Sequence, residues 1–147
     1  MKKKKTGVLL LNLGTPDSPS VSDVRKYLKE FLNDPRVIDL PWLKRKLLVN
    51  MIIVPLRAPK SAKEYEKLWK HGGGESPLLT YAKSVETRLK AEFGDDLGIH
   101  FAMRYQNPSM DSVLAEMRKI NYEKIIVFPL YPHYASASTG STVEKTY

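Results

Sequence analysis

Side chains able to bind or transform a ligand gather at four places in this chain of 147 residues. Leu11-Asn12-Leu13-Gly14-Thr15-Pro16 closes an apolar run, and His71-Gly72-Gly73-Gly74-Glu75-Ser76-Pro77-Leu78 is rich in glycine. Met103-Arg104-Tyr105-Gln106-Asn107-Pro108 follows a second apolar run. Phe128-Pro129-Leu130-Tyr131-Pro132-His133-Tyr134 precedes a stretch of small hydroxyl residues ending in Gly140-Ser141. Arg104 is costly to bury without a partner, so it should face a cleft and an anion or carboxylate. A structural salt bridge explains it equally well. Tyr105 adds a flat face and a hydroxyl. His133 could ligate metal or shuttle protons, although a lone histidine is more often structural or exposed.

Several chemistries are excluded or weakened by what these segments lack. The glycine loop has no Lys-Ser/Thr of a phosphate-binding loop and no strand directly before it. Gly14 stands alone, so a dinucleotide fingerprint fails as well. Ser76 instead reads as a helix N-cap with Pro77 at the first helical position, and Gly14 lets backbone approach a ligand closely. His71, His100 and His133 have no ligand-like spacing, so no metal site can be assembled. There is no cysteine. Disulfides, zinc–cysteine sites and iron–sulfur clusters within this chain are therefore excluded, which suits a reducing, cytoplasmic compartment. The net charge is +8, but Lys2 to Lys5 supply half of it. A solvated basic tail accounts for that run better than an RNA-binding arm, because no basic–aromatic interleaving accompanies it; nucleic acid is not expected as a partner. Residues 8–13 after the tail are too short and too interrupted for a signal peptide.

The elements that must position these residues are legible as pattern. Residues 7–13, 98–104 and 124–130 read as buried parallel strands. Helical faces recur at Val21, Val24, Leu28 and Phe31, with Ser20 or Ser22 as N-cap. Two more run along Leu78, Ala82, Val85 and Leu89, and along Met110, Val113, Leu114 and Met117. Alternating strands and helices give an α/β fold: a Rossmann-like parallel sheet with helices on both faces. Ligands in such sheets sit at the carboxyl ends of strands. Residues 47–56 carry no charge before Arg57. They form either a buried helix, the reading that sequence alone favours, or an exposed apolar edge that meets a membrane or an apolar ligand. Ser141-x-x-Glu144 is a capping box that predicts a fresh helix near the end of the sequence, and with it a chain that continues beyond residue 147.

Taken together and in order, LLNLGTP, GGGESPL, the MRY of FAMRYQNPS and FPLYPHYASASTGS resemble the ferrochelatase family. The resemblance runs from about residue 6 to residue 147. It implies a lyase of haem biosynthesis that inserts ferrous iron, a substrate and not a bound cofactor, into protoporphyrin IX. That family is built from two similar halves around a porphyrin cleft. Residues 1–147 would be the N-terminal chelatase-like domain, with porphyrin and the second half of the same chain as partners. Asn12, Leu13 and Thr15 would lie along the cleft, Arg57 near the propionates, Ser76 at the pocket, Arg104 and Tyr105 on the wall, and Tyr131 near metal access. Residues 42–56 would form the lip through Leu47, Leu48, Met51 and Ile52, with peripheral membrane contact; this reverses the buried-helix reading.

Departures sharpen the expectation. Glutamine is usual where this chain has His133, so no catalytic role attaches to that histidine. Glu75 looks like an insertion, and Ser136 takes the place of a cluster cysteine, so no iron–sulfur cluster is expected. Leu13 replaces the tyrosine of coproporphyrin-using relatives and favours protoporphyrin. The metalating histidine and glutamate belong downstream, leaving no catalytic residue here and no activity for this chain alone. In the implied mechanism the cleft saddles the macrocycle to expose its nitrogens, and a base removes the pyrrole protons. The competing reading is a Rossmann-like binding module for an anionic small ligand, without catalysis.

Overall fold

A computed structural model describes residues 6–147; the Lys2–Lys5 run lies outside them. Strands β1 (Thr6–Gly14), β2 (Leu97–Tyr105) and β3 (Lys124–Pro129) pair in parallel in the order β2-β1-β3. The register sets Leu11 beside Ala102 and Pro129, and Gly14 beside Tyr105. β1 is central, and its side chains alternate between two cores, as the period of two along a strand requires. Leu9 and Leu11 meet Met110, Val113 and Met117 of helix α5 (Met110–Ile120). Leu10 points the other way, with Ile99, Phe101 and Met103, onto helix α4 (Pro77–Phe93). The expected sheet with helices on both faces is present.

A third core joins helix α1 (Val21–Leu32) to a long helical stretch. That stretch consists of α2 (Trp42–Leu47), a π-helical segment (Leu48–Ile53) and α3 (Val54–His71). Val24, Tyr27, Leu28 and Leu32 pack on Val49, Val54, Ala58 and Ala62, with Tyr105 among them. The N–H of Val54 donates to the carbonyl of Val49, five residues back. Pro55, which follows directly, has no N–H to close an ordinary α-turn onto Met51. The wide turn therefore sits where the α ladder is already broken.

Four expectations change. β3 is not a buried strand: Ile125, Ile126 and Phe128 are 39–55% exposed, because β3 has β1 on one side and no other strand partner among the described residues. The inner stripe of α4 runs through Leu79, Ala82 and Leu89, leaving Leu78 and Val85 at the surface. Val21, the first residue of α1, is also exposed. The capping box at Ser141 is not formed. A second π turn (Ser136–Gly140) leads into α6 (Ser141–Thr146), and Glu144 pairs with Arg36. Ser20 and Ser109 do cap, each accepting an N–H from three residues on, Asp23 at 3.1 Å and Ser112 at 3.2 Å. No helix of the described residues is long and apolar enough to cross a membrane.

Candidate functional site

The carboxyl ends of the strands carry two buried polar clusters. The first begins at Gly14, whose φ is +123°. A Cβ there would come within 2.1 Å of the Tyr105 carbonyl oxygen, so its lack of a side chain serves the closure of β1 on β2. The chain then turns Thr15 inward. Ser76 Oγ donates to Thr15 Oγ1 at 3.0 Å, and both residues are at least 95% buried. Ser76 occupies the N-cap position of α4, but its side chain makes no capping bond; Thr15 has taken the hydroxyl. This pair borders an open cavity of about 550 Å³, walled by Pro16, Trp69, Leu79 and Pro108. Its rim is polar: Lys83 pairs with Glu75 at 2.5 Å and Asn107 donates to Asp17 at 3.0 Å. Hydrogen bonds from Lys83 and Thr80 hold the Glu75 carboxyl below its usual range.

The second cluster centres on Asp34, which follows α1 and is 7% exposed. Its Oδ2 accepts from Ser141 Oγ at 2.5 Å, Arg104 Nη2 at 2.7 Å and Tyr105 Oη at 2.9 Å. Its Oδ1 accepts the N–H of Arg36 at 2.8 Å. Burial pushes the Asp34 carboxyl up, but the bonds from Ser141, the Arg36 N–H and Tyr105, with the Arg104 charge, outweigh it and hold the group low. Tyr105 is wholly buried, and burial pushes its phenol up. The expectation that it presents a flat face to the cleft is corrected: its ring is in the core, 5.3 Å edge-on from Phe31. Nearby, Tyr131 is half-buried and its hydroxyl lies 2.9 Å from Thr142 Oγ1.

Of the remaining sequence-derived residues, Asn12 and Leu13 are half-buried at the end of β1, and the Leu13 N–H donates to Asn12 Oδ1 at 2.8 Å. Arg57 is exposed and lines a separate hollow of about 500 Å³ with Leu56, Lys60, Tyr65 and Leu68. It is not gathered into the same cavity as Thr15 and Ser76. Along the helical stretch, Leu47, Met51 and Ile52 are 52%, 70% and 54% exposed, and Leu48 is half-buried. Trp42, Leu43 and Leu56 extend the patch, with Lys46 Nζ 5.0 Å from the Trp42 ring. His133 is exposed. The described residues hold no group of three or more His, Cys, Asp or Glu able to bind a metal.

Asp34 and Ser141 were missed by sequence reasoning. Arg104 called for a carboxylate, but Asp34 lies 70 residues away and the matching serine 37. The available signal was an acid beside a proline directly after the first helical pattern, which by itself reads as a turn.

The sequence model of the ferrochelatase family matches residues 5–147. A ferrochelatase of Coxiella burnetii (strain Dugway 5J108-111) is 45% identical over 141 residues, covering 96% of this chain and 39% of the relative. One from Chromobacterium violaceum is 44% identical over 147 residues, covering 97% and 40%. One from Legionella pneumophila (strain Paris) is 45% identical over 142 residues, covering 97% and 42%. The chain spans about two fifths of the length of these curated relatives.

Proposed function

With this chain belonging to the ferrochelatase family, we propose that it is the N-terminal part of an enzyme that inserts ferrous iron into protoporphyrin IX, and that it supplies the wall and lip of the porphyrin cleft. The observation that carries this reading is the set of polar groups at the ends of parallel strands beside an exposed apolar helix. Thr15 and Ser76 form one buried hydroxyl pair, Asp34, Arg104, Tyr105 and Ser141 a buried charged cluster, and Leu47, Met51 and Ile52 the apolar rim. A porphyrin needs such a division, with apolar area for its rings and fixed donors for its carboxylates.

In this reading Asn12, Leu13, Thr15 and Ser76 line the cleft, and Arg57 meets a propionate from the rim. Arg104 and Tyr131 stand on the wall, with Tyr105 held behind Arg104. The part of the protein outside this chain contributes the histidine that takes the pyrrole protons and its acidic partner, so residues 1–147 alone insert no iron. The cleft wall acts by shape: binding energy from remote contacts offsets the strain of a saddled macrocycle, whose nitrogens then face the metal. Residues 42–56 add a peripheral contact with the membrane.

Titration of the full-length protein with protoporphyrin, followed by tryptophan fluorescence quenching, tests the reading. Ser76→Ala should weaken binding about tenfold, the equivalent of one hydrogen bond of about 1.4 kcal/mol. Unchanged affinity for porphyrin in a folded variant would remove Ser76 from the cleft.

A further inference from the structure

We propose that Asp34 is a positioning residue for Arg104: its buried carboxylate and Ser141 together fix the guanidinium so that a single nitrogen, Nη1, is offered at the strand ends. The inference rests on the reading of Arg104 as part of the cleft wall. The other two guanidinium nitrogens each already have a protein partner, Nη2 through one of its two N–H groups. Nε donates to Ser141 Oγ at 2.8 Å and to the Ser141 carbonyl at 3.2 Å. Nη2 donates to Asp34 Oδ2 at 2.7 Å. One face lies on Tyr105, with Cζ 4.5 Å from the ring centroid.

Nη1 has no protein hydrogen-bond partner among the described residues. The only fully buried side-chain atoms left unpaired there are Asn33 Oδ1 and Arg45 Nε, so Nη1 reaches solvent. Arg104 accordingly keeps 15% of its side-chain exposure, against 5% for Asp34.

The mode of pairing separates this arrangement from an ordinary structural ion pair. A carboxylate stabilising an arginine for its own sake tends to take both forks of the guanidinium, oxygen by oxygen. Asp34 gives Arg104 one oxygen, which it shares with Tyr105 and Ser141, and binds the other to the backbone of its own loop at Arg36. The acid is thus anchored first and grips one edge. A guanidinium stays protonated at any working pH, so Nη1 can serve only as a fixed donor and charge. Its value then lies in where it points, and Asp34 sets that.

Asp34→Asn, nearly isosteric, is the test in the full-length enzyme, with Ser141→Ala as a second variant that loosens the other jaw. Asp34→Asn should lower kcat about 10- to 100-fold, the scale of a displaced contact group, with the porphyrin KM within about threefold. The double variant with Arg104→Ala should be no slower than Arg104→Ala alone. Independently of activity, phenylglyoxal should label Arg104 severalfold faster in Asp34→Asn, read peptide by peptide in the mass spectrometer, while the other arginines keep their rates. Ser141→Ala should shift both measurements in the same direction and by less. Losses that multiply in the double variant, or unchanged labelling of Arg104, would overturn the proposal. If Arg104→Ala itself leaves turnover intact, the cleft-wall reading fails, and faster labelling in Asp34→Asn would then identify a purely structural tether.

Discussion

Met51 offers a clean separation of a functional surface from a core. Its side chain is 70% exposed, whereas Val49, two residues earlier on the same π-helical segment, is wholly buried. Burying a side chain of this kind completely is worth roughly 1.5–3 kcal/mol. Less than a third of Met51 is out of water, so Met51→Asp in the full-length protein should cost only about 0.5–1 kcal/mol. At about 2–4 °C per kcal/mol for a domain this size, the melting temperature should fall by roughly 1–4 °C. Val49→Asp places a carboxylate in the apolar cluster of Val24, Leu28 and Val54. The lost burial and the desolvated charge together should cost several kcal/mol, and unfolding or a fall of more than about 10 °C is expected. Melting is to be followed by circular dichroism, alongside protoporphyrin titration and flotation with liposomes. Met51→Asp should keep the fold yet weaken porphyrin binding, membrane binding or both. A fall above about 10 °C would place Met51 in the core, and unchanged binding in both assays would leave the apolar patch without its proposed use.

Three further outcomes follow from the packing and charge. Gly14→Ala would force a methyl carbon to within 2.1 Å of a backbone oxygen at a φ of +123°; a loss of at least about 3 kcal/mol in chemical denaturation is expected, and a near-neutral change would contradict the tight closure of β1 on β2. The Asp34 carboxyl is held low, so its stabilisation is complete above the ordinary carboxylate range near pH 4 and is lost as pH falls through the folded value. The gap in melting temperature between wild type and Asp34→Asn should therefore be constant from pH 7 to about 5 and narrow below about 4; a gap that widens on acidification would reverse that sign. Arg45 is buried, with Nη1 on the Leu40 carbonyl at 2.6 Å and Nε without a partner. Arg45→Met should leave the melting temperature unchanged or raise it, since a half-satisfied buried cation gains little over an apolar side chain; a drop of more than about 4 °C would show the guanidinium to be better compensated than its hydrogen bonds indicate.

Much of this architecture could be read from the chain. Residues 7–13, 98–104 and 124–130 announce strands because apolar runs bounded by turn residues have few other uses, and all three lie in one parallel sheet. What pattern could not supply was lateral position. An apolar run looks the same at the centre of a sheet as at its edge, so the exposure of Ile126 and Phe128 among the described residues, where β3 pairs with β1 alone, was not legible in the pattern. The absence of charge likewise marked residues 47–56 as apolar without saying which side met the core. The helix does both, burying Val49 and Val54 and exposing Met51 and Ile52. The charged cluster was the least legible, because Asp34, Arg104 and Ser141 are separated by up to 107 residues and meet only after three strands have aligned.

The serines show why such failures concentrate at the strand ends. Ser20, Ser76, Ser109 and Ser141 each stand at a helix start, where a side-chain cap is favoured. Ser20 and Ser109 obey, and their bonds to Asp23 and Ser112 are exposed. Ser76 and Ser141 do not, and both are nearly or wholly buried. A lost cap costs about 1 kcal/mol, so the hydroxyls must gain at least as much elsewhere. Ser141 does so against a carboxylate, where a hydrogen bond to charge contributes about 1.5–3 kcal/mol. Ser76 meets only a neutral hydroxyl, for which about 1 kcal/mol is typical, so its exchange is close to break-even for folding alone. Local rules are broken most readily where function demands it. Ser76, whose diversion stability does not require, is therefore the one of the four whose position argues most directly for a ligand in the adjoining cavity.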